Sequence, residues 1–470
     1  MLTYSFEEIG SEALYKHLYK CIKEDIISGK IQVGEKLPSK RSLANHINVS
    51  VVTVENAYMQ LVAEGYIYSK EKSGYFVSDL KVNEGVHRET DLKEGKIGPQ
   101  KKSYLFDFAT NNIAHEHFPF NIWSKLMRET LSRQDTTNLL RKTLIGGEME
   151  LREAISKHLY DFRGMQIEPQ QIIVGAGTEY LYQLIIQLLG RNHIFAIENP
   201  GYMKLAKIYK NSGVSCKYIN MDESGVLIKD LEESKAQIIH ISPSHHYPTG
   251  IVMPINRRYD LLSWAASDEK RYIIEDDYDC EYRLAGRPIP TLQSIDVMEK
   301  VIYMNTFSKS LAPSFRISYM VLSKSLLKQF YEKLGFYACT VSNFEQYTLA
   351  RFISEGYFEK HINRMRQYYS AQRDRMIKII NESKIAPYVS IHEEDAGVHF
   401  LIKINKEIND EVILNSAKEK GVMITCLSQY YAQSKQCQTH ELVVNYAGID
   451  KEHIEEATYQ LCKALEVVIL

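Results

Sequence analysis

Leu14, Leu18, Ile22 and Ile26 recur every four residues, which predicts a helix with one apolar face. Gly29 ends that helix, and Gly34-Glu35-Lys36-Leu37-Pro38 reads as a turn. Ser39 then stands as the N-cap of a short helix carrying Leu43, Ala44 and Ile47. Ser50 is a second cap, opening a helix that buries Val54, Ala57, Tyr58 and Leu61 and stops at Gly65. Tyr66-Ile67-Tyr68 and Gly74-Tyr75-Phe76-Val77 predict two short strands joined by the polar turn Ser69-Lys70-Glu71-Lys72-Ser73. Three helices and a β-hairpin make a winged helix-turn-helix over residues 8–78.

The pattern then changes. Residues 79–104 are polar, with Gly85, Gly95, Gly98 and Pro99 and few apolar positions, and read as a flexible linker. Over residues 105–470, apolar runs of four to six residues alternate with amphipathic helical stretches, the mark of an α/β domain with a largely parallel sheet. A length of 470 residues allows this division, and 44% apolar with 25% charged residues excludes wholesale disorder or a disulfide scaffold. No apolar run approaches the ~20 residues of a membrane helix, so no membrane association is expected. The N-terminus lacks the basic and apolar regions of a secretory signal. Seven cysteines without a CxxC pair read as reduced thiols of a cytoplasmic protein, and no metal site is read.

A formal net charge of −2 removes the simplest argument for nucleic-acid binding, and residues 1–80 hold nine Lys/Arg against ten Asp/Glu. Contact with DNA must therefore come from local placement. The motifs Leu37-Pro38-Ser39-Lys40-Arg41-Ser42-Leu43-Ala44, Val49-Ser50 with Thr53-Val54, Glu64-Gly65-Tyr66-Ile67 and Ser73-Gly74-Tyr75-Phe76-Val77 resemble the GntR family of DNA-binding domains. The resemblance implies that Ser39, Lys40 and Arg41 face phosphate and groove. Ser50, Val51 and Thr53 would enter the major groove, with Lys72 and Gly74 at the wing. Hydroxyls at helix N-termini and nearby cations suit phosphate oxygens. Val51 stands where many relatives carry an arginine, which weakens sequence readout per half-site.

In the large segment the polar motifs follow predicted strands, where open α/β sheets place their ligands. Ile172-Ile173-Val174 runs into Gly175-Ala176-Gly177-Thr178-Glu179 and a helix, a turn that offers backbone N–H groups to an anion. Ile238-Ile239-His240-Ile241 leads to Ser242-Pro243-Ser244-His245-His246-Tyr247-Pro248-Thr249-Gly250. Tyr272-Ile273-Ile274 leads to Glu275-Asp276-Asp277-Tyr278-Asp279, and Val301-Ile302-Tyr303-Met304 leads to Asn305-Thr306-Phe307-Ser308-Lys309, with Arg316 seven residues on. Taken singly, Lys309 reads as a surface lysine and Asp276-Asp277 as a solvated turn. Together they supply a lysine for an aldehyde, an acid for a pyridine nitrogen, and an arginine, a serine and a helix N-terminus for a phosphate. Those are the partners that pyridoxal 5′-phosphate (PLP) requires.

Their order and spacing resemble fold-type-I aminotransferases over roughly residues 105–465. That resemblance implies a mostly parallel sheet with a smaller C-terminal α+β subdomain. It implies Lys309 as the Schiff-base lysine, Asp276 on the pyridine nitrogen, Tyr278 on the ring hydroxyl and Tyr202 stacked on the ring. Gly177, Thr178, Glu179, Ser308 and Arg316 would surround the phosphate. A GntR-like winged helix, a polar linker and such a domain, in that order, resemble the MocR/GabR family of transcriptional regulators. The family implies a PLP-dependent regulator that binds a double-stranded DNA operator as a homodimer and senses a small-molecule effector.

Two departures bear on the effector. Val443, in Glu441-Leu442-Val443-Val444-Asn445-Tyr446-Ala447, occupies the place of an arginine that clamps a ligand carboxylate in amino-acid-binding relatives. Lys204 is a substitute cation or a solvated surface lysine. Near Lys142 many relatives place a tyrosine that helps the neighbouring subunit's phosphate site. Both changes argue against efficient transamination, and the sequence thus favours a regulator over a genuine aminotransferase with an appended DNA-binding module. The effector is either an amino compound that takes the place of Lys309 on the cofactor or PLP itself, and Val443 favours the second.

Overall fold

The computed structural model describes residues 3–4, 12–80, 104–110, 112–133, 136–284, 289–395, 397–432 and 438–470. Most of the expected linker, at residues 81–103, lies outside them. The chain divides into two compact units, Met1–Lys101 and Lys102–Leu470.

In the first unit, α1 (Leu14–Ile27) buries Leu18, Ile22 and Ile26, whereas Leu14 at its first position is 45% exposed. Helices α2 (Lys40–His46) and α3 (Val51–Ala63) follow, capped by the Ser39 and Ser50 hydroxyls, which accept the Ser42 and Thr53 backbone N–H groups, each at 3.1 Å. Val54, Ala57, Tyr58 and Leu61 of α3 close a core with Leu43, Ala44 and Ile47. The hairpin differs from the sequence reading: β1 is Ile67–Lys70 and β2 is Gly74–Val77. Antiparallel register pairs Ile67 with Val77 and Lys70 with Gly74, so the turn shrinks to residues 71–73. Lys72 takes a positive φ of 58° there, and Gly74 one of 112°.

In the second unit an eight-stranded sheet is built from β3 (Ile172–Gly175), β4 (Ile194–Asn199), β5 (Ser215–Asp222), β6 (Gly225–Val226), β7 (Ile238–Ile241), β8 (Tyr272–Asp276), β9 (Val301–Thr306) and β10 (Ser318–Val321). Its order is β3-β10-β9-β8-β7-β4-β5-β6. Strands β9, β8, β7, β4 and β5 run parallel, and β10 is antiparallel to both its neighbours, which turns β3 in the same direction as β9. The carboxyl ends of β3, β4, β7, β8 and β9 therefore lie along one edge. Burial on both faces explains the unbroken apolar runs. Ile274 and Ile302 pack on one face against Leu181, Leu184 and Ile185 of α5 (Thr178–Leu189), which follows α4 (Met149–Arg163). Ile273 and Val301 pack on the other against Leu261 and Trp264. A smaller antiparallel sheet orders β11 (Val389–His392), β12 (His399–Ile404), β14 (Glu441–Asn445) and β13 (Thr425–Cys426). Among the described residues no helix is long and apolar enough to cross a membrane.

Candidate functional site

The shared strand edge gathers the polar motifs of the large unit. At the end of β3, Gly177 adopts φ 93° and ψ 160° as the residue before α5. A Cβ there would stand 2.6 Å from Arg316 Nη2, so only glycine lets the arginine lie against the start of the helix. Arg316 itself has a positive φ of 52° and is held by Glu179, with Nη2 at 3.3 Å from Oε2. Thr178 and Glu179 form the first turn of α5, whose N–H groups and dipole favour an anion beside the half-exposed guanidinium. Ser308 lies in the helical turn after β9 and donates its backbone N–H to Thr306 Oγ1 at 3.1 Å.

Asp276 ends β8 with 8% exposure. Tyr182 from α5 donates to its Oδ2 at 2.6 Å, and His240 Nε2 from β7 lies 3.4 Å from the same oxygen. Oδ1 is buried without a protein partner. A carboxylate fixed through one oxygen and vacant at the other is ready to accept from a donor outside the chain. Lys309 follows the end of the adjacent β9, and burial lowers its pKa to about 8 against the opposing pull of Asp279. About a tenth of such an amine is neutral near pH 7, the form that attacks a carbonyl. Tyr278 places its hydroxyl 3.4 Å from His245 Nδ1, which in turn lies 2.8 Å from Asp279 Oδ2. Burial first, then Asp279, keeps that phenol protonated. Tyr202, at the start of α6 (Met203–Asn211), is half-exposed and meets Tyr247 edge-on at 6.4 Å.

Four supporting residues escaped the sequence reading: Tyr182, His240, Asp279 and Arg163. Arg163, the last residue of α4, forms an almost fully buried ion pair with Asp277, which also accepts from the Tyr303 hydroxyl at 2.9 Å. That pair anchors the turn between Asp276 and Tyr278. Lys204, considered above as a carboxylate clamp, is instead paired with Glu179. Val443 is fully buried on β14 with Leu401 and Leu427, and Tyr247, Tyr430 and Tyr431 pack against this cluster. Lys142 is exposed.

In the first unit, Arg41 and Lys72 are exposed, and Val51 is 39% exposed at the start of α3. Thr53 Oγ1 lies 2.8 Å from Ser50 Oγ, and Gly74 follows the wing turn. Lys40 is the member of the set that is engaged elsewhere: its ammonium pairs with Glu55 of α3.

The comparisons agree with both units. The family described as bacterial regulatory proteins, gntR family, matches residues 14–77, and aminotransferase class I and II matches residues 104–461. A Bacillus subtilis protein named "Uncharacterized HTH-type transcriptional regulator YdeL" is 38% identical, over 97% of this chain and 97% of its own. A Rhizobium meliloti protein named "Probable rhizopine catabolism regulatory protein MocR" is 30% identical over 96% of this chain and 93% of its own. A crystal structure of a kynurenine aminotransferase from Pyrococcus horikoshii superposes with a TM-score of 0.67 at 25% identity, covering 78% of this chain and 92% of that one.

Proposed function

This chain belongs to the MocR/GabR-type transcriptional regulators, a GntR winged helix joined to an aminotransferase class I and II domain, and from that premise we propose that the site around Lys309 takes up PLP and that its occupancy sets the operator affinity of the winged helix. The observation that carries this is the buried, unpartnered Oδ1 of Asp276, with a desolvated Lys309 following the neighbouring strand. When bound, the cofactor supplies an aldehyde and an electron-withdrawing pyridinium ring.

Each residue then has a defined task. Asp276 would hold the ring nitrogen, its aim fixed by Tyr182 and His240. The N-terminus of α5, Ser308 and Arg316 would receive the phosphate, in a cradle that a Cβ at Gly177 would fill. Tyr278 would donate to the ring hydroxyl and Tyr202 would cover the ring. Lys309, partly neutral at physiological pH, is the attachment point. Glu179 orients Arg316, and Lys204 offsets its charge.

Val443 itself offers a carboxylate no partner. This favours PLP itself as the signal over an amino acid, and the full-length regulator relatives support regulation over turnover. Two winged helices on paired half-sites require a homodimer, with Ser39, Arg41, Ser50, Val51, Thr53, Lys72 and Gly74 at the DNA and Lys40 joining them only if Glu55 releases it.

The test is the visible absorption spectrum of the purified protein, with Lys309→Ala alongside, during titration with a panel of amines. A band present only in the wild type supports the attachment at Lys309; identical spectra would refute it. A band that moves with one amine would make that compound the effector.

A further inference from the structure

Helix α3 contains no lysine or arginine. Its single charged side chain, Glu55, is paired with Lys40. Its first turn presents Val51 and Val52 to solvent, 39% and 62% exposed. Neither belongs to the core, to which this helix contributes Val54, Ala57, Tyr58 and Leu61. Thr53 spends its hydroxyl on Ser50 at 2.8 Å. Asn56, one turn beyond Val52 on the same face, is also exposed.

In the major groove, guanine and cytosine show only donors and acceptors, which a valine cannot match. The one apolar feature there is the C5 methyl of thymine. An asparagine amide suits the N6 and N7 edge of adenine. Both side-chain types on this face therefore select the same base pair. Arg41 and Lys72, the exposed cations of the set placed at the DNA, lie outside α3, where they can add affinity through phosphates without choosing a sequence.

We propose that Val51 and Val52 are specificity-determining residues that read thymine methyl groups, so that each operator half-site carries A·T pairs beneath the first turn of α3. The inference rests on the placement of α3 in the major groove given above.

The experiment selects duplexes from a random-sequence pool with the full-length protein. Thymines of the enriched half-site are then replaced one at a time by deoxyuridine, which deletes only the methyl. An affinity loss of about fourfold is expected at one or two positions, the worth of one buried methyl. Val51→Ala and Val52→Ala change exposed side chains, and one or the other should bind thymine and uracil duplexes equally at its position. Insensitivity of the wild type to every replacement, or an undiminished loss in both variants, would overturn the inference. A pool that enriches no sequence would contradict the placement of α3 itself, so the two failures are told apart.

Discussion

Replacing Asp276 with Ala is expected to weaken PLP binding roughly ten- to hundredfold, the loss of a charge-assisted hydrogen bond of about 1.5–3 kcal/mol. The carboxylate is 8% exposed, one oxygen is held by Tyr182 and His240, and the other has no protein partner. Burial makes an acceptor in this state costly in the free protein and strong toward an incoming N–H. Asp276→Asn keeps the shape but cannot hold a protonated ring nitrogen, and should fall between wild type and alanine. Equilibrium dialysis against the cofactor measures all three. Wild-type affinity in the alanine variant would remove Asp276 from the site.

The second large effect concerns folding. Arg163→Met leaves Asp277 as an unpaired charge, in a pair whose side chains are 3% and 1% exposed. Breaking one side of such a pair typically costs about 3–5 kcal/mol. Arg163 also donates to the Ile289 carbonyl at 2.7 Å, so the segment beyond Tyr278 loosens with it. The double variant Arg163→Met/Asp277→Leu should recover most of the loss, because no buried charge remains. Urea unfolding of the three proteins is the readout, and a single-variant loss below about 1 kcal/mol would show that water reaches Asp277.

Much of this site was legible because a parallel sheet places its ligand groups in the loops after its strands. Gly177, Asp276, Tyr278, Ser308 and Lys309 each follow a short apolar run that can only be a buried strand. Of the supporting residues, Asp279 shares that signal without showing its partner His245, 34 residues away, and the others lack it. Tyr182 sits among leucines and isoleucines of α5, and His240 between two isoleucines of β7, so each reads as core. Their meeting at Asp276 depends on which strands are neighbours, and sequence order does not give that. Arg163 and Asp277 are 114 residues apart and pair for the same reason.

In the winged helix, apolar periodicity located α1, and capping chemistry located α2 and α3, whose first turns Ser39 and Ser50 hold by local bonds. The strand ends were less legible. The register that pairs Lys70 with Gly74 is set by cross-strand contacts, which extend β1 into residues that look like turn. Lys40 is a similar case: its partner Glu55 lies on the next helix, so local sequence leaves it looking free for DNA.

The most direct test of the account is operator affinity measured on cofactor-stripped and PLP-loaded protein, with Lys309→Ala under the same two conditions. Coupling between cofactor site and winged helix predicts that loading shifts wild-type affinity by about 5- to 150-fold, while the variant shows no shift. Equal wild-type affinities with and without PLP would contradict it.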